Sequence, residues 1–407
     1  MSTLILGALA LVAGASQADA RSADEPRRSW VISADAVYTA AGEAIEGGHV
    51  VVTDGKIAAV APGAGGGDDD AEDALRVVAV TPGLVDLGAW MSSGEDSLEH
   101  STETPANLRV ADSLDLYTLS WDRALRDGVT AVLAATPDEA VIGGLAALVK
   151  TGGDHDVDSR IVAPDCVLRG AIGSRPSRWN RTAGWGTPNH FVRRPTTRMG
   201  VEWVWRKAFY DALSAERAPE RDFEGADEIR MALRGDVPLM IGAATTQDIR
   251  TAVFLAREFS VPKLILQNAA EAWKELEMVV ASGAAVVLPP FTWNGRIDVD
   301  NAFHAWNTAA VLVERGVDVA LSGDGSSSRE RSLAMQPAYA MRGGLSFDDA
   351  LAAVTINPAR MVGADGRIGS IEPGKDADLV LWNGTPFEPT SRVVGVLLNG
   401  ELVVDLR

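Results

Sequence analysis

The sequence predicts an α/β protein: an eight-unit barrel of alternating strands and helices, with a small β domain built from the two chain ends. Three observations predict it. From about Val77 to Gly363, short apolar runs alternate with helix-like stretches, the pattern of βα units on a parallel sheet. Strand-and-turn patterns occupy both ends, and neither end can bury a core alone. A length of 407 residues at 46% hydrophobic suits one barrel-sized domain and a smaller one.

The elements follow in order. The N-terminus, MSTLILGALALVAGASQADA, carries an apolar stretch from Leu4 to Val12 and ends in Ala18-Asp19-Ala20, an A-x-A cleavage pattern. No Lys or Arg precedes the stretch, so the α-amino group supplies the positive charge. Residues 1–20 read as a signal peptide, which implies an exported protein, periplasmic or secreted. The stretch is too short for a permanent span, so no membrane contact is expected after cleavage.

Short strands follow at Val31-Ile32, Ala36–Tyr38 and His49–Val52, then the turn Asp54-Gly55 and the strand Lys56–Val60. The glycine- and acid-rich run from Gly63 to Asp73 reads as a solvated loop. Eight barrel strands are expected near Pro82–Leu87, Val129–Ala134, Leu145–Lys150, Ile161–Leu168, Pro238–Ala243, Leu264–Asn268, Ala284–Leu288 and Val317–Ser322. The tail returns to strands at Ala377–Trp382 and Val393–Leu398, with turns at Asn383-Gly384 and Asn399-Gly400. The expected division is a composite β-sandwich from 30–78 and 367–407 around a barrel from 79–366. Active sites of such barrels lie at the C-terminal strand ends.

Composition excludes several functions. With 37 basic and 56 acidic residues, the net charge of −19 repels nucleic acid and anionic membranes. The single cysteine, Cys166, excludes an internal disulfide and a cysteine metal cluster, and its apolar run implies a buried thiol. A small-molecule ligand is compatible with the sequence, and self-association is left open.

The tail string Arg367-Ile368-Gly369-Ser370-Ile371-Glu372-Pro373-Gly374-Lys375-Asp376-Ala377-Asp378-Leu379-Val380 resembles the amidohydrolase signature where barrel returns to sandwich. Thr355-Ile356-Asn357-Pro358-Ala359 is similar to the family's helix after the eighth strand, and Pro82-Gly83-Leu84-Val85-Asp86 to the end of its first. Leu108–Asp112, Ala124–Thr130 and Val141–Gly144 resemble the imidazolonepropionase-like, exported branch. The resemblance implies hydrolysis of non-peptide C–N bonds by water activated on zinc or another divalent metal.

Every ligand position but one departs from that pattern. The first-strand pair H-x-H is replaced by Gly88 and Trp90, and the fifth-strand pair by Gly242 and Ala244. Asn268 stands at the sixth-strand histidine; Arg169 and Ser174 stand where a lysine and a glutamate do. Arginine stays protonated and can neither be carboxylated nor ligate. Only Asp324 keeps its group. The expectation is therefore no family-type metal centre and no cofactor, with Trp90, Arg169 and Asn268 lining a former metal cavity as ligand-binding positions. Asp324 is expected to pair with Arg169 across it, replacing the metal's charge. Two other roles stay open for Asp324: cofactor-free acid/base catalysis and ligand binding. Whether the chain is an enzyme is undecided: a binding or scaffold protein stands against an unusual C–N hydrolase centred on Asp324. Of the five histidines, His100 alone lies in a loop that emerges beside the site, as a lid residue or a relocated metal ligand. Trp179, Trp185, Trp203 and Trp205 with six arginines between Arg175 and Arg198 suggest either a lid for an anionic or sugar-like ligand or a packed insertion or subunit interface.

Overall fold

The computed structural model describes residues 29–63, 74–89, 91, 97–99, 101–178, 194–292, 296–297, 300–325 and 331–407. Residues 1–20, where a signal peptide is expected, and Trp90, His100, His190, Trp179 and Trp185 lie outside them. In chain order the strands are β1 (Trp30–Val37), β2 (Ile45–Thr53), β3 (Lys56–Pro62) and β4 (Ala74–Pro82). Next come β5 (Leu84–Asp86), β6 (Val129–Ala134), β7 (Ile142–Lys150), β8 (Ile161–Ala171), β9 (Leu239–Gly242), β10 (Leu264–Gln267) and β11 (Ala285–Leu288). The short hairpin β12 (Arg296–Ile297) and β13 (Ala302–Phe303) precedes β14 (Val319–Leu321). The tail adds β15 (Leu379–Trp382), β16 (Val393–Leu398) and β17 (Glu401–Asp405).

The chain ends share one seven-stranded sheet, ordered β17-β16-β15-β4-β1-β2-β3. Both residues of the β2–β3 turn, Asp54 and Gly55, have positive φ (53° and 77°), which matches the twist of a two-residue hairpin. The second sheet holds all eight expected barrel strands, ordered β14-β11-β10-β9-β8-β7-β6-β5. Its two edges are bridged by a single backbone segment. Val85 N–H donates to the Val354 carbonyl (2.8 Å) and Leu321 N–H to that of Ala353 (2.9 Å), so the barrel is nearly closed.

One strand departs from the parallel pattern. β7 runs antiparallel to both β6 and β8, whereas the other neighbouring strands are parallel. Chain length gives the reason. Only residues 135–141 separate β6 from β7. A parallel crossover needs about a dozen residues or more, while an antiparallel return needs few.

The barrel interior is filled from alternate strand positions, with Leu87, Leu133, Leu148, Met240, Ile265 and Val287 in one buried cluster. Cys166 packs at its edge; burial pushes the thiol up to about 12, which makes it a structural residue. The outer faces bury against helices. The helix Arg198–Arg217 presents Val201, Val204, Trp205, Ala208, Phe209 and Ala212 at helical spacing, and Trp205 Nε1 donates to the Ala171 carbonyl at 3.1 Å.

Sheet and barrel are tied by a buried ionic cluster. Lys150, at the end of β7, donates to Asp376 (2.8 Å) and Asp378 (3.1 Å), while Lys56 and Arg367 also meet Asp376. Burial alone would raise Asp376, but the Lys150 ammonium and its companions pull it down to about 2. The tail motif Lys375–Val380 thus holds the two sheets together.

Candidate functional site

Strand alternation sets the upper inward layer of the barrel. Two residues beyond the interior positions Val167, Met240, Ile265 and Ala320 come Arg169, Gly242, Gln267 and Ser322 at the C-terminal strand ends. Arg169 is 3% exposed, so its charge must be met inside the protein. The carboxylate that meets it is Asp138, from the short loop after β6. Arg169 Nε also donates to Gln267 Oε1 at 2.9 Å, and Gln267 Nε2 donates to the Leu87 carbonyl at 2.8 Å. Asn268 Nδ2 donates to Asp138 Oδ2 at 3.0 Å. Burial would raise Asp138, but the Arg169 guanidinium, with help from Arg175 and Asn268, holds it below the usual carboxylate range. One hydrogen-bonded network therefore links the ends of β5, β8 and β10 with the loop after β6.

The expected Arg169–Asp324 pair is not formed. Asp324 pairs with Arg331 at 2.9 Å, and its backbone N–H donates to the Arg331 carbonyl at 3.3 Å. The reason is geometric. The tight loop after β6 brings Asp138 into the same buried layer as Arg169, whereas Asp324 lies beyond the end of β14, beside Arg331. Arg169 and Asn268 are brought together; Asp324 stands apart from them; Trp90 is among the residues not described.

Two glycines test whether the family's metal would fit. A Cβ at Gly242 would lie 2.5 Å from Asp138 Oδ1 and 3.4 Å from Arg169 Nη2. A Cβ at Gly88 would lie 2.5 Å from Ser322 Oγ. Real side chains do not approach so closely, so neither position admits an imidazole without displacing its neighbour. Ala244 is buried in a cluster with Ala270 and Ala302, beneath the β12–β13 hairpin. The residues present do not fit a divalent metal: a guanidinium, a salt-bridged carboxylate and small side chains occupy the ligand positions. Among the described residues, no three His, Cys, Asp or Glu side chains are grouped to hold one. His49 meets the Gly63 carbonyl in the terminal sheet, and His155 stacks on Tyr117 at 4.3 Å. His304 is buried against Phe291, and burial pushes it down to about 4, so it stays neutral.

Two further features were not legible as site residues. Asp86 is fully buried and accepts from the N–H groups of Gly88 and Gly323, both at 2.9 Å, joining the loops after β5 and β14. Burial, opposed by those N–H groups and reinforced by nearby Asp324, pushes its carboxyl up to about 7. Arg198 clamps Asp248 (2.8 Å) and Asp300 (2.7 Å), and Ser174 Oγ donates to Asp300 at 2.7 Å. That clamp fastens the loop after β8 to the hairpin over the barrel mouth. What remains is a cavity of about 20 Å³ lined by Gly88, Ala89, Thr136, Arg169 and Gln267, room for a water molecule.

The amidohydrolase family pattern matches residues 269–403. An amidohydrolase from Thermotoga maritima superposes with a TM-score of 0.80 at 28% identity, covering 92% of this chain and 99% of that one. The chain belongs to the amidohydrolase superfamily. Among curated relatives of this amidohydrolase-superfamily protein, amidohydrolase tasK of Hapsidospora irregularis is 25% identical over 371 residues, 80% of this chain and 36% of that one. An imidazolonepropionase of Shouchella clausii is 37% identical over 106 residues, 24% of each chain. The matched stretches span about a third or less of these relatives' own length.

Proposed function

We propose that this protein keeps the amidohydrolase scaffold without metal-dependent hydrolysis, and that it acts as an exported ligand-binding or scaffold protein. The observation that carries the reading is the Asp138 carboxylate, seated where a side chain at Gly242 would have to stand. The Arg169 guanidinium supplies a fixed positive charge in the barrel mouth, and Asp138 neutralises it. A second cation beside Arg169 would be repelled, and binding it would require breaking a buried ion pair. The networked mouth is instead stabilised as it stands.

The test is hydrolysis. Purified protein is incubated with cyclic and linear non-peptide amides, with zinc or manganese added and with a chelator. The reading expects no turnover above the uncatalysed rate in any arm. Turnover that a chelator abolishes, or that Asp324→Asn abolishes, would overturn it.

A further inference from the structure

We propose that the outer flank of the barrel carries a separate small-molecule site, a groove that takes an aromatic anion. The groove has a volume of about 560 Å³ and runs along the helix Arg198–Arg217 and the turn after it. That size lies in the range of roughly 300–1,000 Å³ usual for small-ligand sites. Its lining includes Trp203, Lys207, Asp211, Arg221 and Phe223, none of which borders the cavity at Arg169.

Helical spacing builds this wall. Trp203, Lys207, Asp211 and Ser214 recur at intervals of four, four and three, which places them on one face. Val201, Trp205 and Phe209 hold the opposite face against the barrel. Trp203 is 47% exposed, so part of its ring is open to a ligand in the groove. Arg194 already lies over that ring at 5.0 Å. Together with Phe223, Trp203 offers a flat apolar surface on which a ligand ring can stack.

Charge fixes the rest of the ligand. Lys207 is neutralised by Asp211. Arg221 has no carboxylate partner among the described residues, and neither has Arg194. Arg221 in the groove and Arg194 over the Trp203 ring favour an anion locally, against the chain's net charge of −19. A carboxylate and a phosphate share this chemistry, because each meets a guanidinium with paired oxygens.

Isothermal titration calorimetry on the full chain tests the site with 2-naphthoate, 2-naphthyl phosphate and neutral 2-naphthalenemethanol. One anion per chain should bind, and the better of the two anions identifies the class. Arg221→Gln and Trp203→Leu should each weaken it about tenfold or more, with Trp203→Phe restoring most of the affinity. Both side chains are on the surface, and unchanged thermal melts confirm that the variants fold. Absence of binding at millimolar concentration, equal binding of the neutral alcohol, or full affinity in Arg221→Gln would overturn the proposal. So would a dimer in sedimentation that Trp203→Leu dissolves, since the face would then be a protein contact.

Discussion

Removing the Asp138 carboxylate should expose how much of the barrel mouth rests on one ion pair. In Asp138→Ala, the Arg169 guanidinium stays buried at 3% exposure with Gln267 Oε1 at 2.9 Å and the Gly170 carbonyl at 3.4 Å, both uncharged. Asn268 Nδ2 loses its acceptor as well. Leaving one member of a buried pair uncompensated costs about 3–5 kcal/mol. The double variant Asp138→Ala with Arg169→Met removes both charges, so it should cost less than the single change. Urea unfolding followed by circular dichroism gives the four corners of the cycle, and the coupling should be at least about 2 kcal/mol. A loss below about 1 kcal/mol for Asp138→Ala, or strictly additive effects, would refute the role given to this pair. Because Asp138 lies below its ordinary value, its contribution is present above about pH 4 and lost as pH falls further.

Three other outcomes follow from the same geometry. Gly242→Ala places a methyl 2.5 Å from Asp138 Oδ1 and should destabilise by about 1–3 kcal/mol in the same assay; a neutral effect would show that the pair yields easily. Asp86, pushed up to about 7, keeps its proton over a range where the unfolded chain has lost it, so its contribution is full below about pH 4 and lost as pH rises through 7. Wild type should therefore lose stability relative to Asp86→Asn as pH rises from 5 to 8, and parallel pH profiles would contradict this. Lys150→Met leaves the buried Asp378 without its cation, while Asp376 keeps Lys56 and Arg367, and should cost about 3–5 kcal/mol, read as a lowered midpoint; an unchanged midpoint would show that the sheets are held together otherwise.

Much of the scaffold was legible because it depends on local pattern. Short apolar runs locate all eight barrel strands, and Asp54-Gly55 marks its hairpin. The direction of β7 was less visible, since its run of buried residues reads the same in either orientation; the seven residues before it carried the information. At the mouth, Arg169 and Asn268 stood out by position in the motif. Asp138 did not, because the turn Thr136-Pro137-Asp138 gives no sign that its carboxylate returns inward. Gln267 was detectable in principle, two residues beyond the interior Ile265. Asp324 pairs with Arg331 and not Arg169, because separation along the chain says nothing about which loop closes over which strand. Lys150 looked like the end of a strand, and only its contacts with Asp376 and Asp378 show its task.

Elemental analysis by inductively coupled plasma mass spectrometry tests the central claim most directly, on full-length protein expressed with zinc and manganese in the medium and purified without chelator. The proposed loss of the metal centre predicts metal well below one atom per chain, unchanged in Asp324→Asn and in Asp138→Ala. One or more tightly held zinc or manganese atoms per chain, lost on Asp324→Asn, would contradict it.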